Sequence, residues 1–77
     1  MRNLLKFREL VVDENVSERE VQVLELTSEG HSSREIADLL HISKETVKSH
    51  RKHLLLKLNA RNAAHLVRRG MILHLIE

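Results

Sequence analysis

Two Ser-x-x-Glu sequences, which start at Ser17 and Ser32, limit the folds that this 77-residue chain can adopt. In such a sequence the serine side chain caps a helix N-terminus and the glutamate bonds back to the cap, so each one predicts where a helix begins. Gly30 lies between them and suits the left-handed position that ends a helix. Proline is absent, and leucine, alanine and charged residues that favour helices dominate the composition. The sequence therefore predicts an all-α fold.

The predicted domain is a four-helix helix-turn-helix unit over residues 16–77, preceded by a leader or linker over residues 1–15. Val47, Leu54 and Leu58 follow i, i+7, i+11 spacing and form one apolar stripe that should face a core. Gly70 is expected to stop the last helix, and the apolar residues after it can fold back onto the core. The four helices are predicted to cover residues 17–29, 32–40, 43–58 and 61–69.

The second and third predicted helices are joined by a short turn of His41, Ile42 and Ser43. Two short amphipathic helices linked in this way form a helix-turn-helix. Ala37 leaves room for a close helix crossing, and Ile42 can fill the angle between the two helices. The same pattern also fits an ordinary corner of a helical bundle, so geometry alone leaves both interpretations open.

Charge is divided unevenly along the chain. Residues 1–41 carry five basic and nine acidic side chains, whereas residues 42–70 carry eight basic ones against Glu45 alone. A basic half is typical of a surface that faces a polyanion, although a solvated charged face would look the same. Phe7 is the single aromatic residue, so the chain lacks the stacking platforms of single-strand binders. Double-stranded DNA is therefore the better-matched polyanion.

The third predicted helix carries the candidate base contacts. With the apolar stripe turned inward, Lys48, Ser49 and Lys52 lie on the outward side. The two lysines are one turn apart, about 6 Å along the axis, which suits adjacent base pairs or neighbouring phosphates. Lysine can donate to guanine, and serine can donate or accept. A bound polyanion would also relieve the repulsion between the lysines.

Short hydroxyl side chains lie at the predicted N-termini of the second and third helices. These are Ser32, Ser33 and Thr46. Helix N-termini bind phosphate through their free N–H groups and the helix dipole, so these residues are candidate contacts to the DNA backbone. Simple capping would explain them equally well.

Four pieces of the sequence lie in a fixed order and spacing: SEREVQVL (17–24), GHSSREIA (30–37), LHISKETVKSH (40–50) and KL (57–58). With them, residues 16–67 resemble the LuxR/FixJ-type (GerE-like) helix-turn-helix domain of bacterial transcription regulators. The resemblance implies a third helix that reads the major groove and a fourth helix that forms a two-fold dimer contact. The chain departs from the family pattern at Asn59, where glycine is usual, but asparagine tolerates left-handed geometry.

The resemblance also implies roles for individual residues. It places base contacts on the same three residues as the helical spacing, and it places His50 beside the DNA backbone. Arg51 and His53 are further candidate backbone contacts. In the fourth helix the candidate dimer contacts are Ala63, Leu66 and Val67, although these side chains could also belong to the core.

We therefore predict the DNA-binding domain of a bacterial transcription regulator, which binds double-stranded DNA sequence-specifically as a homodimer. RNA polymerase is a further candidate partner. The alternative is a helical interaction module of a regulator that does not read DNA itself, and the basic residues 42–70 argue against it.

Several other functions find little support in the sequence. The six histidines lack a His-Glu-x-x-His spacing, and no nucleophile–base constellation is evident, so we expect no enzyme activity, metal or other cofactor. Cysteine is absent, and no apolar run approaches the ~20 residues of a membrane span. We expect no membrane partner and a cytoplasmic, nucleoid-associated location.

Overall fold

A computed structural model describes residues 16–77 of the chain. These residues contain no strand, so the prediction of an all-α, four-helix fold is confirmed. The predicted leader, residues 1–15, lies outside the described residues. The helices are α1 (Glu18–Ser28), α2 (Ser33–Leu40), α3 (Lys44–Lys57) and α4 (Ala63–Ile72).

Both predicted capping boxes are present at the starts of α1 and α2. Ser17 Oγ accepts the N–H of Glu20 at 3.0 Å, and the Ser17 N–H donates to Glu20 Oε1 at 3.0 Å. The same pair of bonds joins Ser32 and Glu35, at 3.1 and 2.9 Å. A serine cap contributes about 1 kcal/mol to helix stability, so these two helices begin where the sequence predicts.

The turn between α2 and α3 is the predicted helix-turn-helix connection. His41 ends α2 in the left-handed region with a φ of 59°. The N–H of Ile42 donates to the carbonyl of Ala37 at 3.1 Å, and the Ile42 side chain is half-buried against the core. Ser43 then starts α3, because its Oγ accepts the N–H of Thr46 at 3.0 Å.

The core draws apolar residues from all four helices. The apolar stripe of α3 is confirmed, since its three side chains are fully buried. Burying a large aliphatic side chain stabilises a fold by about 1.5–3 kcal/mol, so these residues fix α3 against the rest of the domain. Leu73 and Ile76 beyond α4 are also buried, as expected for a tail that folds back. The remaining core residues are Val23, Leu24, Ile36, Ala37 and Leu66.

Left-handed residues lie where the sequence predicts them at two helix ends. Gly30 has a φ of 95° just after α1, and Asn59 has a φ of 55° just after α3. The N–H of Gly30 donates to the carbonyl of Thr27 at 3.0 Å, which satisfies a group at the end of α1. Both residues therefore end their helices through local backbone geometry.

Gly70 lies inside α4 and does not end it, so the expectation that it stops the helix is wrong. The helix begins at Ala63 and continues to Ile72, past the predicted end at residue 69. A Cβ atom at Gly70 would lie 2.8 Å from Leu24 Cδ2 and 3.3 Å from Ile76 Cγ1. The missing side chain therefore allows α4 to approach α1 and the tail closely.

Replacing Gly70 with alanine should destabilise the domain despite the better helix propensity of alanine. The gain in propensity is about 1 kcal/mol, whereas overpacking a core costs about 1–3 kcal/mol. We therefore expect a lower midpoint in urea denaturation. Shortening the contacted side chain, in Leu24→Val, should make the two effects less than additive in a double-mutant cycle. A more stable Gly70→Ala variant would contradict this account.

Candidate nucleic-acid interface

The outward side of α3 is occupied by the three predicted base contacts. Lys48, Ser49 and Lys52 are all exposed. Val47 and Leu54, on the opposite side of the same helix, are fully buried. We call the three exposed residues the reading face. The structure thus brings together the residues that helical spacing grouped, on a helix held firmly by its other side.

Arg51 joins α3 to the connection between α1 and α2. Its Nε donates to Thr27 Oγ1 at 3.2 Å, its Nη1 to Ser33 Oγ at 2.8 Å, and its Nη2 to the carbonyl of His31 at 3.0 Å. Burial lowers the pKa of Arg51 from its ordinary value, but a guanidinium stays charged in proteins. Arg51 therefore uses three of its five N–H donors within the chain, a role that the sequence analysis missed.

The predicted phosphate contacts at the helix N-termini lie at or near the surface. Ser32 and Thr46 are exposed, and Ser33 is half-buried. Each hydroxyl already has a partner within the chain: Ser32 caps α2, Ser33 accepts from Arg51, and Thr46 Oγ1 lies 2.8 Å from Ser43 Oγ. The bond from Arg51 holds the start of α2 against the middle of α3.

The two histidines predicted to contact the DNA backbone differ in their surroundings. His50 is half-buried, and its Nδ1 atom is interior, with no hydrogen-bond partner among residues 16–77. His53 is exposed, and its Nδ1 lies 3.9 Å from Glu20 Oε2. His53 thus stands between solvent and an acidic group of α1, a neighbour that the sequence did not indicate.

Glu20 places a buried carboxylate between α1 and the end of α3. It is 4% exposed, and its two oxygens accept from Lys57 Nζ at 2.9 and 3.1 Å. Burial raises the pKa of Glu20, but hydrogen bonds from Lys57 and from the Ser17 N–H lower it further, so that it lies below the ordinary 4.5. The capping pattern predicted the bond with Ser17. It gave no sign of Lys57, which lies 37 residues away in sequence.

The lowered pKa predicts how stability should change with pH. A carboxyl group whose pKa is lower in the folded state stabilises the fold above its unfolded pKa and loses that contribution as pH falls through the folded pKa. We expect Glu20→Gln to lower the free energy of unfolding at pH 7 by about 1–3 kcal/mol. The difference from the parent should shrink below about pH 4.5.

Urea denaturation between pH 3 and pH 7 measures this difference. Glu25→Gln is the matched control, because Glu25 is exposed on the same helix and loses the same charge. It should have little effect at any pH. A deficit of Glu20→Gln that stays constant across the range would show that the carboxylate charge contributes nothing.

The predicted dimer residues of α4 do not share one surface. Leu66 is 1% exposed and belongs to the core of a single chain, which removes it from the predicted dimer surface. Ala63 is exposed and Val67 is half-buried. The uncovered apolar side of α4 consists of Ala64, Val67 and Met71, at i, i+3, i+7 spacing. We call these three residues the α4 face.

Two other properties of the described residues bear on partners. No helix within residues 16–77 is long and apolar enough to cross a membrane. In the same part of the chain, no three His, Asp or Glu side chains come together as a group that could hold a metal ion.

Comparison with known proteins identifies the family of this chain. Residues 14–69 match the family described as bacterial regulatory proteins, luxR family. The chain is 38% identical over 52 residues to the oxygen regulatory protein NreC of Staphylococcus carnosus, a match that covers 68% of this chain and 24% of the relative. It is 34% identical over 62 residues to NreC of Staphylococcus epidermidis, covering 80% and 28%.

The chain thus spans about a quarter of the length of these curated relatives. The family match covers most of the chain, and it confirms the resemblance seen in the sequence. The chain belongs to the luxR family of bacterial regulatory proteins and carries that family's helix-turn-helix DNA-binding domain.

Proposed function

We propose that this domain binds double-stranded DNA sequence-specifically, with α3 in the major groove and the reading face directed at the bases. The observation that carries the proposal is the division of α3 into an exposed basic side and a fully buried apolar side. A 14-residue helix is about 21 Å long and fits a major groove about 12 Å wide. Lysine and serine then meet base edges without disturbing the core.

Contacts to the DNA backbone would flank the reading face. The N-termini of α2 and α3, at Ser32 and Thr46, offer N–H groups and a favourable dipole to phosphates. His50 and His53 lie along α3 on either side of Lys52. Arg51 supports this arrangement by fixing the start of α2, and its charge adds to the attraction for phosphate.

We also propose that two copies bind DNA together through the α4 face. Support comes from an apolar surface that the domain leaves uncovered, with Met71 49% exposed. An antiparallel two-fold contact would pair Ala64 with the partner's Met71 and place the two copies of Val67 opposite each other. Two-fold symmetry predicts a palindromic DNA site with half-sites about one helical turn apart. Contact with RNA polymerase and a cytoplasmic, nucleoid-associated location remain proposals for the whole regulator.

Selection from a random duplex library, followed by fluorescence anisotropy over a salt series, tests sequence-specific binding. Affinity should fall steeply with salt. Lys48→Ala should cost about 1–3 kcal/mol on the selected duplex and less on a scrambled one. Arg19→Ala is the matched control, because Arg19 is an exposed cation on α1. Arg19→Ala should change the affinity for either duplex only slightly.

Two results would contradict the proposal in different ways. Equal losses on both duplexes would make Lys48 a phosphate contact and remove it from base reading. No binding at low salt would exclude DNA binding altogether and favour a helical protein-interaction module.

A further inference from the structure

Two polar contacts, at different levels of α1, hold α3 in place. Near the C-terminal end of α1, Thr27 accepts from Arg51 at 3.2 Å. Near its N-terminal end, Glu20 accepts from Lys57 at 2.9 and 3.1 Å. The contacts are about 10 Å apart along α1 and about 9 Å apart along α3. Because the later residue of α1 meets the earlier residue of α3, the two helices run in opposite directions where they touch.

Two contacts at separate points along a helix fix the direction of its axis, whereas a helix held at a single point can rotate about that point. Without the Glu20–Lys57 contact, α3 would lose one of its hydrogen-bonded connections to α1 and depend more on apolar packing, whose driving force is not directional. The proposed base contacts lie on α3, and the proposed phosphate contacts begin on α2. The angle between these helices decides whether one docked position can satisfy both sets of contacts.

We propose that Glu20 is a positioning residue for base recognition: by holding Lys57, and with it His53, it sets the angle at which α3 presents the reading face. This inference rests on the proposed DNA binding. Glu20 itself is 4% exposed and lies on α1, so it acts on DNA only through α3.

The charges around Glu20 allow a positioning role to be distinguished from a merely structural one, because the two roles predict different changes in DNA affinity. His53 lies 3.9 Å from the carboxylate, and Lys57 is 30% exposed on its side chain. Replacing Glu20 with glutamine removes a negative charge beside Lys57 and so raises the net positive charge of this end of α3. Affinity for a scrambled duplex should then be kept or raised, because binding without sequence preference depends on charge. Affinity for the preferred duplex should fall, because it depends on alignment.

The test is the ratio of affinities for the selected and scrambled duplexes, measured by anisotropy for Glu20→Gln and Lys57→Met. Circular dichroism at the same temperature reports the folded fraction of each variant. We expect both variants to lose about tenfold in the ratio. Lys57→Arg keeps a cation beside Glu20, so its ratio of affinities should stay close to that of the parent. Glu25→Gln, with the same change in charge on the exposed side of α1, should leave the ratio unchanged.

Each alternative outcome has a distinct meaning. Partial unfolding lowers both affinities by the same factor, so an unchanged ratio in Glu20→Gln and Lys57→Met would overturn the proposal. If Glu20→Gln does not fold, the ratio for Lys57→Met decides. If the parent itself shows no preference between duplexes, the proposed function fails first, and the role of Glu20 in recognition fails with it.

Discussion

Replacing Leu54 with alanine should lower the free energy of unfolding by about 2–5 kcal/mol, the largest loss of stability that we expect from a single truncation. Leu54 is fully buried on the inward side of α3. Its removal sacrifices apolar burial and leaves a cavity that the surrounding helices fill only in part. Small domains are stable by only about 5–15 kcal/mol, so the variant should lose a large share of its total stability.

The same truncation two residues later provides the control. Leu56 lies on the same helix but is 72% exposed, so Leu56→Ala should change stability by less than about 0.5 kcal/mol. Urea denaturation followed by circular dichroism measures both variants. Losses of similar size at the two positions would contradict the assignment of one buried and one exposed side to α3.

Replacing Met71 with glutamate should abolish the preference for a duplex with two half-sites over a duplex with one. Two linked copies bind a second half-site at high effective concentration, an advantage of about 10²–10⁴ in affinity. Met71 lies on the α4 face, and a two-fold contact brings the same patch of both copies together. A glutamate there would place two unpaired negative charges in an apolar contact.

Fluorescence anisotropy measures the affinity for the selected palindrome and for the same duplex with one half scrambled. The ratio of these two affinities gives the preference for two half-sites. Leu39→Glu is a close match, because Leu39 is an exposed apolar residue on α2, 53% exposed against 49% for Met71. It should keep the ratio of the parent. If Leu39→Glu loses the ratio and Met71→Glu retains it, the contact between copies lies on α2, and the α4 face is the wrong surface.

Local signals in the sequence predicted much of the fold correctly. Capping depends on residues three apart, so Ser17 and Ser32 could be assigned without knowledge of the rest of the chain. The spacing of the apolar stripe likewise depends only on helix geometry. It separated the buried side of α3 from the reading face before any contact between helices was known.

The errors arose where one residue type serves two purposes. Glycine suits both a left-handed helix end and a close approach between helices, and Gly30 and Gly70 represent the two cases. Leu66 lies on an amphipathic helix that has more apolar residues than a single buried stripe contains. Only the packing of α4 and the tail shows that Leu66 faces inward and Met71 outward.

The polar contacts that hold α3 could not be predicted from the chain alone. Arg51 meets Ser33 across 18 positions, and Lys57 meets Glu20 across 37. No periodicity links residues so far apart, because their proximity follows from the way that three helices pack. The sequence indicated that these side chains are basic or acidic. It did not indicate which of them would face DNA and which would bind within the domain.

The separation of the two sides of α3 also has an evolutionary consequence. Substitutions on the reading face alter exposed side chains, and such changes usually shift stability by no more than about 0.5 kcal/mol. A lineage can therefore exchange Lys48, Ser49 or Lys52 one at a time while each intermediate remains folded. Under the proposed base contacts, the preferred DNA sequence would change with these side chains while the fold stays the same.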